Sequence, residues 1–307
     1  MTLEVWGMMA AGAAALIAGF VLVGPRFRAA SGPDRVLVLA PVFEAAPLAV
    51  FSMEHLLAAH DLMPIVPRWL PAHLFWVYFF GVALLAAAIS FVTWRWVRWS
   101  ALLLALFFVL VVVTLDLPGI PKNAHNRIFW TLTFRELAFA GGAIALSGSL
   151  WAREGPMGRA LVGTGRTVVA LVMIFYGIEH FFFPRNVPGV PLEKLTPAWM
   201  PAPVAIAFLV GIVLILGGIG LIPERTARVA AAGSGTVLLL LTVFFYGPIA
   251  VAQIRSAPVE GLNYLFDTIL FTATVLLAGW RAAAKADVQA RAEFRIGHSN
   301  IGQVAGS

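Results

Sequence analysis

Nine runs of about 20 predominantly apolar residues decide what this chain can fold into. They lie at 6–24, 37–59, 73–92, 99–117, 132–151, 166–183, 202–222, 229–250 and 262–280. Each matches the length a helix needs to cross the hydrocarbon core of a bilayer. The runs are continuously apolar and do not alternate, so they are helices and not strands of a barrel. Of 307 residues, 61% are hydrophobic and only 12% charged. A soluble domain carries roughly 25% charged residues, so this chain cannot cover a water-facing surface. A soluble globule, a disordered protein and a nucleic-acid-binding domain are excluded. There is no cysteine, which removes disulfides, thiolate metal sites, iron–sulfur clusters and c-type haem attachment.

The excess of basic residues reads as topology. The first four residues, Met1-Thr2-Leu3-Glu4, contain no positive charge, and Arg26, Arg28 and Arg35 follow the first apolar run. A signal peptide has the reverse order, so this run is a retained anchor with its N-terminus outside. Alternating from there, Arg68, Lys122, Arg127, Arg135, Arg185, Lys194 and Arg255 fall outside. The other fourteen of the 21 lysines and arginines fall inside, the bias expected of cytoplasmic loops. The expected setting is a bacterial cytoplasmic membrane, crossed many times, with a cytoplasmic C-terminus.

The chain repeats itself. Phe51-Ser52-Met53-Glu54-His55-Leu56 matches Tyr176-Gly177-Ile178-Glu179-His180-Phe181 at an offset of 125. Val66-Pro67-Arg68-Trp69-Leu70-Pro71 matches Thr196-Pro197-Ala198-Trp199-Met200-Pro201 at an offset of 130. The second offset then carries Gly81 onto Gly211, Arg95 onto Arg225, Arg98 onto Arg228 and Pro118 onto Pro248. The second copy therefore has five extra residues around 187–196. Each copy holds an even number of spans, so the two face the same way across a pseudo-two-fold along the membrane normal. The division expected is an N-terminal helix (1–35), two four-helix repeats (36–153 and 154–281) and a cytoplasmic tail (282–307).

Ionisable groups inside a span are costly and are functional candidates by default. In the first repeat these are Glu44, Glu54, His55, Asp116, Arg135 and Glu136, with Trp69 in the loop above. In the second they are Glu179, His180 and Asp267, with Trp199 and Tyr246. All but Glu44 fall in the outer half, so each repeat is expected to gather one polar cluster under a Pro-Trp-Pro loop. Adjacent helical residues point about 100° apart, so Glu54 and His55 serve different faces or adjacent seams. Glu44 precedes His55 by eleven residues, three turns, and shares its face; its counterpart is Val169. Plainer readings stand beside these. A Glu-His pair near a helix end also serves as an interhelical hydrogen-bond device. Trp69 and Trp199 suit interface anchors, and Gly141-Gly142 and Gly217-Gly218 suit close helix packing.

The Glu-His at the outer end of a span, the Pro-x-Trp-x-Pro loop, the Gly-containing third span and the Arg-x-x-Arg turn together resemble the DoxX-like membrane family. The run Arg135-Glu136-Leu137-Ala138-Phe139-Ala140-Gly141-Gly142 looks like the last helix of that family. The resemblance covers 36–151 and again 166–280, as two units in tandem. The second copy departs from the pattern, with Asp267 in place of Glu136 and no matching Gly-Gly. The resemblance implies a four-helix membrane unit, similar in one branch to the membrane subunit of thiosulfate:quinone oxidoreductase. It also implies a redox partner protein.

Enzyme, carrier and scaffold all remain open from the residues themselves. A quinone-linked component would use His55 with Glu54 or Glu44, and His180 with Glu179, to exchange protons with a quinone ring. With no thiol and no recognised flavin motif, its electrons come from a partner. A carrier of lipids or small molecules fits the parallel repeats; a scaffold needs no chemistry. Haem would require His55 and His180 to meet across the axis, whereas shallow histidines before proline loops more often hydrogen-bond than ligate iron.

Overall fold

The computed structural model describes residues 1–152 and 155–280. Arg153, the basic residues Arg281, Lys285, Arg291 and Arg295, and the tail 282–307 lie outside the described residues. Among the described residues nine long helices follow one another: α1 Leu3–Ala29, α2 Ala40–Leu57, α3 His73–Thr93, α4 Val97–Asn123 and α5 Arg127–Trp151. After them come α6 Pro156–Phe182, α7 Pro203–Leu221, α8 Ala227–Gln253 and α9 Pro258–Ala278. The chain is an all-α polytopic membrane protein.

Eight of the nine are long and apolar enough to cross a membrane; α5 is the exception. Its 25 residues reach about 37 Å, so length is not the obstacle. Arg135 and Glu136 stand side by side in it and lower its hydropathy. Burial compensates: its length from Ala138 to Ser149 is almost wholly enclosed by other helices.

Packing follows a two-fold pattern. Within each unit, successive helices touch: α2 on α3, α3 on α4 and α4 on α5, then α6 on α7, α7 on α8 and α8 on α9. The last helix of each unit crosses to the first helix of the other, α5 on α6 and α9 on α2, and α5 meets α9 at the centre. α1 covers the outer face of α2. Apolar side chains gain nothing by facing each other rather than lipid, so close backbone approach does the joining. A Cβ on Gly141 would sit 2.9 Å from the Gly165 carbonyl oxygen of α6, and one on Gly142 would sit 2.9 Å from the Thr274 Cα of α9. Gly218 likewise lies against the Ala170 carbonyl.

Backbone irregularities recur at the offset of 130. Ala72 and Ala202 both take left-handed conformations immediately before a helix. The fourth and eighth helices both pass through a π-helical turn, Val112–Asp116 and Thr242–Tyr246. Pro118 and Pro248 explain the turns. A proline has no N–H for the carbonyl four residues back, and the wider turn accommodates the loss without ending the helix. The fourth helix therefore continues to Asn123, beyond the expected end at 117. Asp116 lies inside it, not at its terminus.

The ten tryptophans divide between the two ends. Trp6, Trp69, Trp76, Trp130 and Trp199 mark the end that carries the Glu-His pairs. At the other end Trp94 packs on Trp280 at 5.3 Å and Trp99 on Trp151 at 5.0 Å. Arg26 lies over Trp94 at 4.9 Å, and Arg98 over Trp99 at 5.5 Å. Two aromatic belts are what a bilayer's two interfaces select.

The α5–α6 seam generates a paired prediction on one helix. A Cβ at Gly165 would lie 2.6 Å from the Ala145 backbone nitrogen, whereas one at Gly163 meets nothing. Gly165→Ala is expected to destabilise the protein by about 1–3 kcal/mol through overpacking. Gly163→Ala is expected to be neutral or to gain up to about 1 kcal/mol of helix propensity. Thermal unfolding of the two variants in the same detergent separates them.

Candidate functional site

The two Glu-His pairs have a common plan. Each histidine hydrogen-bonds back to its own helix: His55 Nδ1 to the Phe51 carbonyl at 2.8 Å, and His180 Nδ1 to the Tyr176 carbonyl at 2.6 Å. A carbonyl only accepts, so Nδ1 carries the proton in both rings. The ring stems pack against the glycine of the next helix; a Cβ at Gly81 or Gly211 would stand 3.0 Å from the histidine Cβ. Each glutamate points to another seam, toward the last helix of the opposite unit. Glu54 Oε1 accepts from Asn263 Nδ2 of α9 at 3.1 Å. Glu179 Oε2 accepts from Thr131 Oγ1 of α5 at 2.9 Å, and its Oε1 faces Arg127 at 3.5 Å.

The five extra residues of the second copy make the two pairs differ. Residues 183–196 form a small hairpin, with Val187 N donating to the Lys194 carbonyl and Thr196 N to the Arg185 carbonyl. Its tip, Val187 to Pro191, turns inward and is buried. Gly189 at the tip has φ +117°, a conformation that L side chains rarely adopt. Its N–H donates to His180 Nε2 at 2.8 Å, while the Tyr246 hydroxyl donates to the Pro188 carbonyl at 3.1 Å. Arg127 donates to the Leu192 carbonyl at 3.3 Å and lies over Phe183 at 4.3 Å. His180 thus has both ring nitrogens committed to backbone, which leaves none for a haem iron.

The first copy has no such plug. Its loop is built of the short turns Ala59–Leu62 and Met63–Ile65 and remains on the surface, with only Ala59 of these buried. His55 is half-buried, and its Nε2 has no hydrogen-bond partner among the described residues. Trp69 and Trp199 are both exposed, as interface anchors are.

A charged cluster lies where α5 meets α9. Arg135 bonds to Asp267 through Nη1, to Glu136 Oε1 through Nη2 at 2.9 Å, and to the same oxygen through Nε at 3.3 Å. Asp116 of α4 lies within electrostatic range of Glu136 and Arg135 and close to Thr133. The expected one-cluster-per-repeat arrangement is thus replaced by contacts across the repeats: Arg135 with Asp267, Glu54 with Asn263, and Glu179 with Arg127 and Thr131. The swapped packing of α5 and α9 is the reason. Glu44 stands apart, buried in α2, and neither carboxyl oxygen is hydrogen-bonded among the described residues.

Arg127, Thr131, Asn263 and Gly189 are the contributors that sequence reasoning missed. Arg127 was legible only as a topology charge. The signal for Gly189 was the five-residue insertion itself, with glycine between Pro188 and Pro191. No group of three or more histidine, aspartate or glutamate residues among those described could hold a metal ion.

Removing Arg135 leaves two carboxylates, Asp267 and Glu136, without their cation. The side chains of Arg135 and Asp267 keep 17% and 16% of their surface open, so the cost falls at the low end for a buried pair. Arg135→Met is expected to destabilise by about 3 kcal/mol. The double variant Arg135→Met/Asp267→Leu leaves fewer stranded charges and is expected to lose less. Unfolding in a denaturing-detergent titration measures both.

The family model of DoxX matches residues 161–247, from early α6 to just past the π turn of α8. The motifs that look like the family are fuller in the first copy, yet the match falls on the second. It stops before α9, where Asp267 replaces Glu136. No curated protein matches the chain, and no solved structure does. The chain is a polytopic all-α membrane protein whose residues 161–247 are similar to the DoxX family.

Proposed function

We propose that the chain is a quinone-linked component of a bacterial cytoplasmic membrane, built of two DoxX-like units (36–153 and 154–281) behind an N-terminal helix. The first unit works on the ring, and a redox partner protein supplies the electrons. In this reading the Glu-His end faces outward and the C-terminus is cytoplasmic.

The supporting observation is the difference between the two histidines. His180 Nε2 accepts an N–H from Gly189, while the equivalent nitrogen of His55 has no partner among the described residues. The Gly189 amide occupies the position that a quinol hydroxyl would take in the first unit. With its Nδ1–H held by the Phe51 carbonyl, neutral His55 can accept a hydrogen bond at Nε2. Protonated, it can donate one to a quinone oxygen and pass that proton on as the ring takes up electrons. Reduction to the quinol needs two protons, and His55 supplies one. Glu54, bonded on one side to Asn263, is the neighbouring acid.

The second copy supports the scaffold reading for itself. Glu179 bonds α5, and His180 Nε2 and the Tyr246 hydroxyl bond the loop, so the three act as a latch.

Co-purified quinone tests the assignment. His55→Ala is expected to lower quinone affinity by about tenfold, the equivalent of one well-made hydrogen bond. His180→Ala should leave quinone content near wild type while lowering thermal stability. Equal quinone-to-protein ratios in wild type and His55→Ala, measured by lipid extraction, would remove the first unit from quinone chemistry.

A further inference from the structure

Glu44 takes no part in the contacts described above. It is 1% exposed, and neither Oε1 nor Oε2 has a hydrogen-bond partner among the described residues. Its counterpart Val169 is equally buried and packs against Gly141 of α5. An apolar side chain therefore fills this position in the other copy, and the fold does not require a carboxyl there.

The surroundings fix what can accompany it. Leu37 lies beside Gly279, and Glu54 bonds Asn263, so α2 and α9 run antiparallel with Glu44 level with residues near 273. At that level α9 carries Thr272, whose hydroxyl donates to the Thr268 carbonyl at 2.7 Å, and Thr274, which lies against Gly142 of α5. On α2 itself, Pro47 withholds the N–H that would bond the Phe43 carbonyl, leaving an acceptor next to Glu44.

Ionisable groups on the packed elements are distant. α1 has none between Glu4 and Arg26, and α3 has His73 and Tyr78 near its far end. On α9 the nearest is Asp267, about 9 Å away along the axis and already bonded to Arg135; Tyr264 and Glu260 lie further on. On α2 the nearest is Glu54, about 15 Å along. Asp34 and Arg35 precede the helix.

We propose that Glu44 is a proton-binding site within the bundle, separate from the His55 site and independent of the quinone reading. An ionised carboxylate cannot be left alone in an apolar interior, and no cationic side chain reaches it. A sodium ion needs several oxygen ligands at once, whereas a proton needs only the carboxyl. The proton is exchangeable, and the Phe43 carbonyl on the same helix turn is an acceptor it can use when the side chain turns.

The test uses the full-length protein in liposomes of neutral lipid, treated with dicyclohexylcarbodiimide, an apolar reagent that adds to protonated carboxyl groups. The expected result is an adduct on the Glu44 peptide in most chains, none in Glu44→Gln or Glu44→Val, and no protection by sodium at constant pH. Infrared spectra of the wild type should contain a protonated-acid carbonyl band that shifts in heavy water and is missing from Glu44→Val, the variant that copies the other unit and so keeps its fold. Protection by sodium would make the site a cation site and overturn the proposal. So would a wild-type spectrum without the band.

Discussion

A charge inside an apolar slab must find its partner within the protein, and α5 is organised around that constraint. Arg135 and Glu136 make it the one long helix among the described residues that falls short of a membrane span on its own composition. Within the helix the guanidinium of Arg135 meets Glu136 through Nε and Nη2, which leaves Nη1 for another element. Asp267 on α9 completes it. The pair joins the last helices of the two units, and so the units cannot be separated without stranding a charge in lipid. The glycines on the same helix serve the same end by another route: Gly141 and Gly142 bring α6 and α9 to backbone contact, so the ion pair forms between elements already held close.

Much of this was legible in the sequence because a bilayer restricts the possible solutions so severely. Apolar runs gave the helices, and the offset of 130 gave features that recur in the backbone down to Ala72 with Ala202 and the two π turns. The fourth apolar run ends at 117, whereas the helix continues past Pro118 and Pro121 to Asn123. A π turn absorbs the first of these prolines, and nothing in periodicity distinguishes absorption from termination. The candidate side chains were found, yet their pairing was not. Sequence proximity suggested clusters within repeats, whereas α5 and α9 exchange places across the axis. That exchange depends on three-dimensional closure, which a list of spans does not contain.

The duplication also separates what a motif copies from what a loop decides. Both histidines make the same bond to the carbonyl four residues back and lean on the same glycine of the next helix. Both glutamates reach the opposite unit. These bonds belong to the helix framework and recur wherever the framework does. The fate of the second ring nitrogen belongs to the loop. Five extra residues let the chain fold inward as far as Gly189, and a glycine there can adopt the required φ. In the shorter loop, no backbone reaches His55.

That contrast bears on how a Glu-His motif in a membrane bundle is to be read. Buried polar groups often only join elements of the fold, and Glu179 with His180 does this: the carboxylate oxygens meet Thr131 and Arg127, and both ring nitrogens meet backbone groups. The same two residue types, with the same helix geometry, have one nitrogen in reserve at His55. The motif alone cannot distinguish the two cases, because the difference lies outside it, in loop length. Glu44 extends the point. Its exact equivalent is a valine, so the framework tolerates an apolar side chain at that depth. A carboxyl placed there without a hydrogen bond weakens the fold, most of all when ionised, so stability of the bundle does not account for its presence.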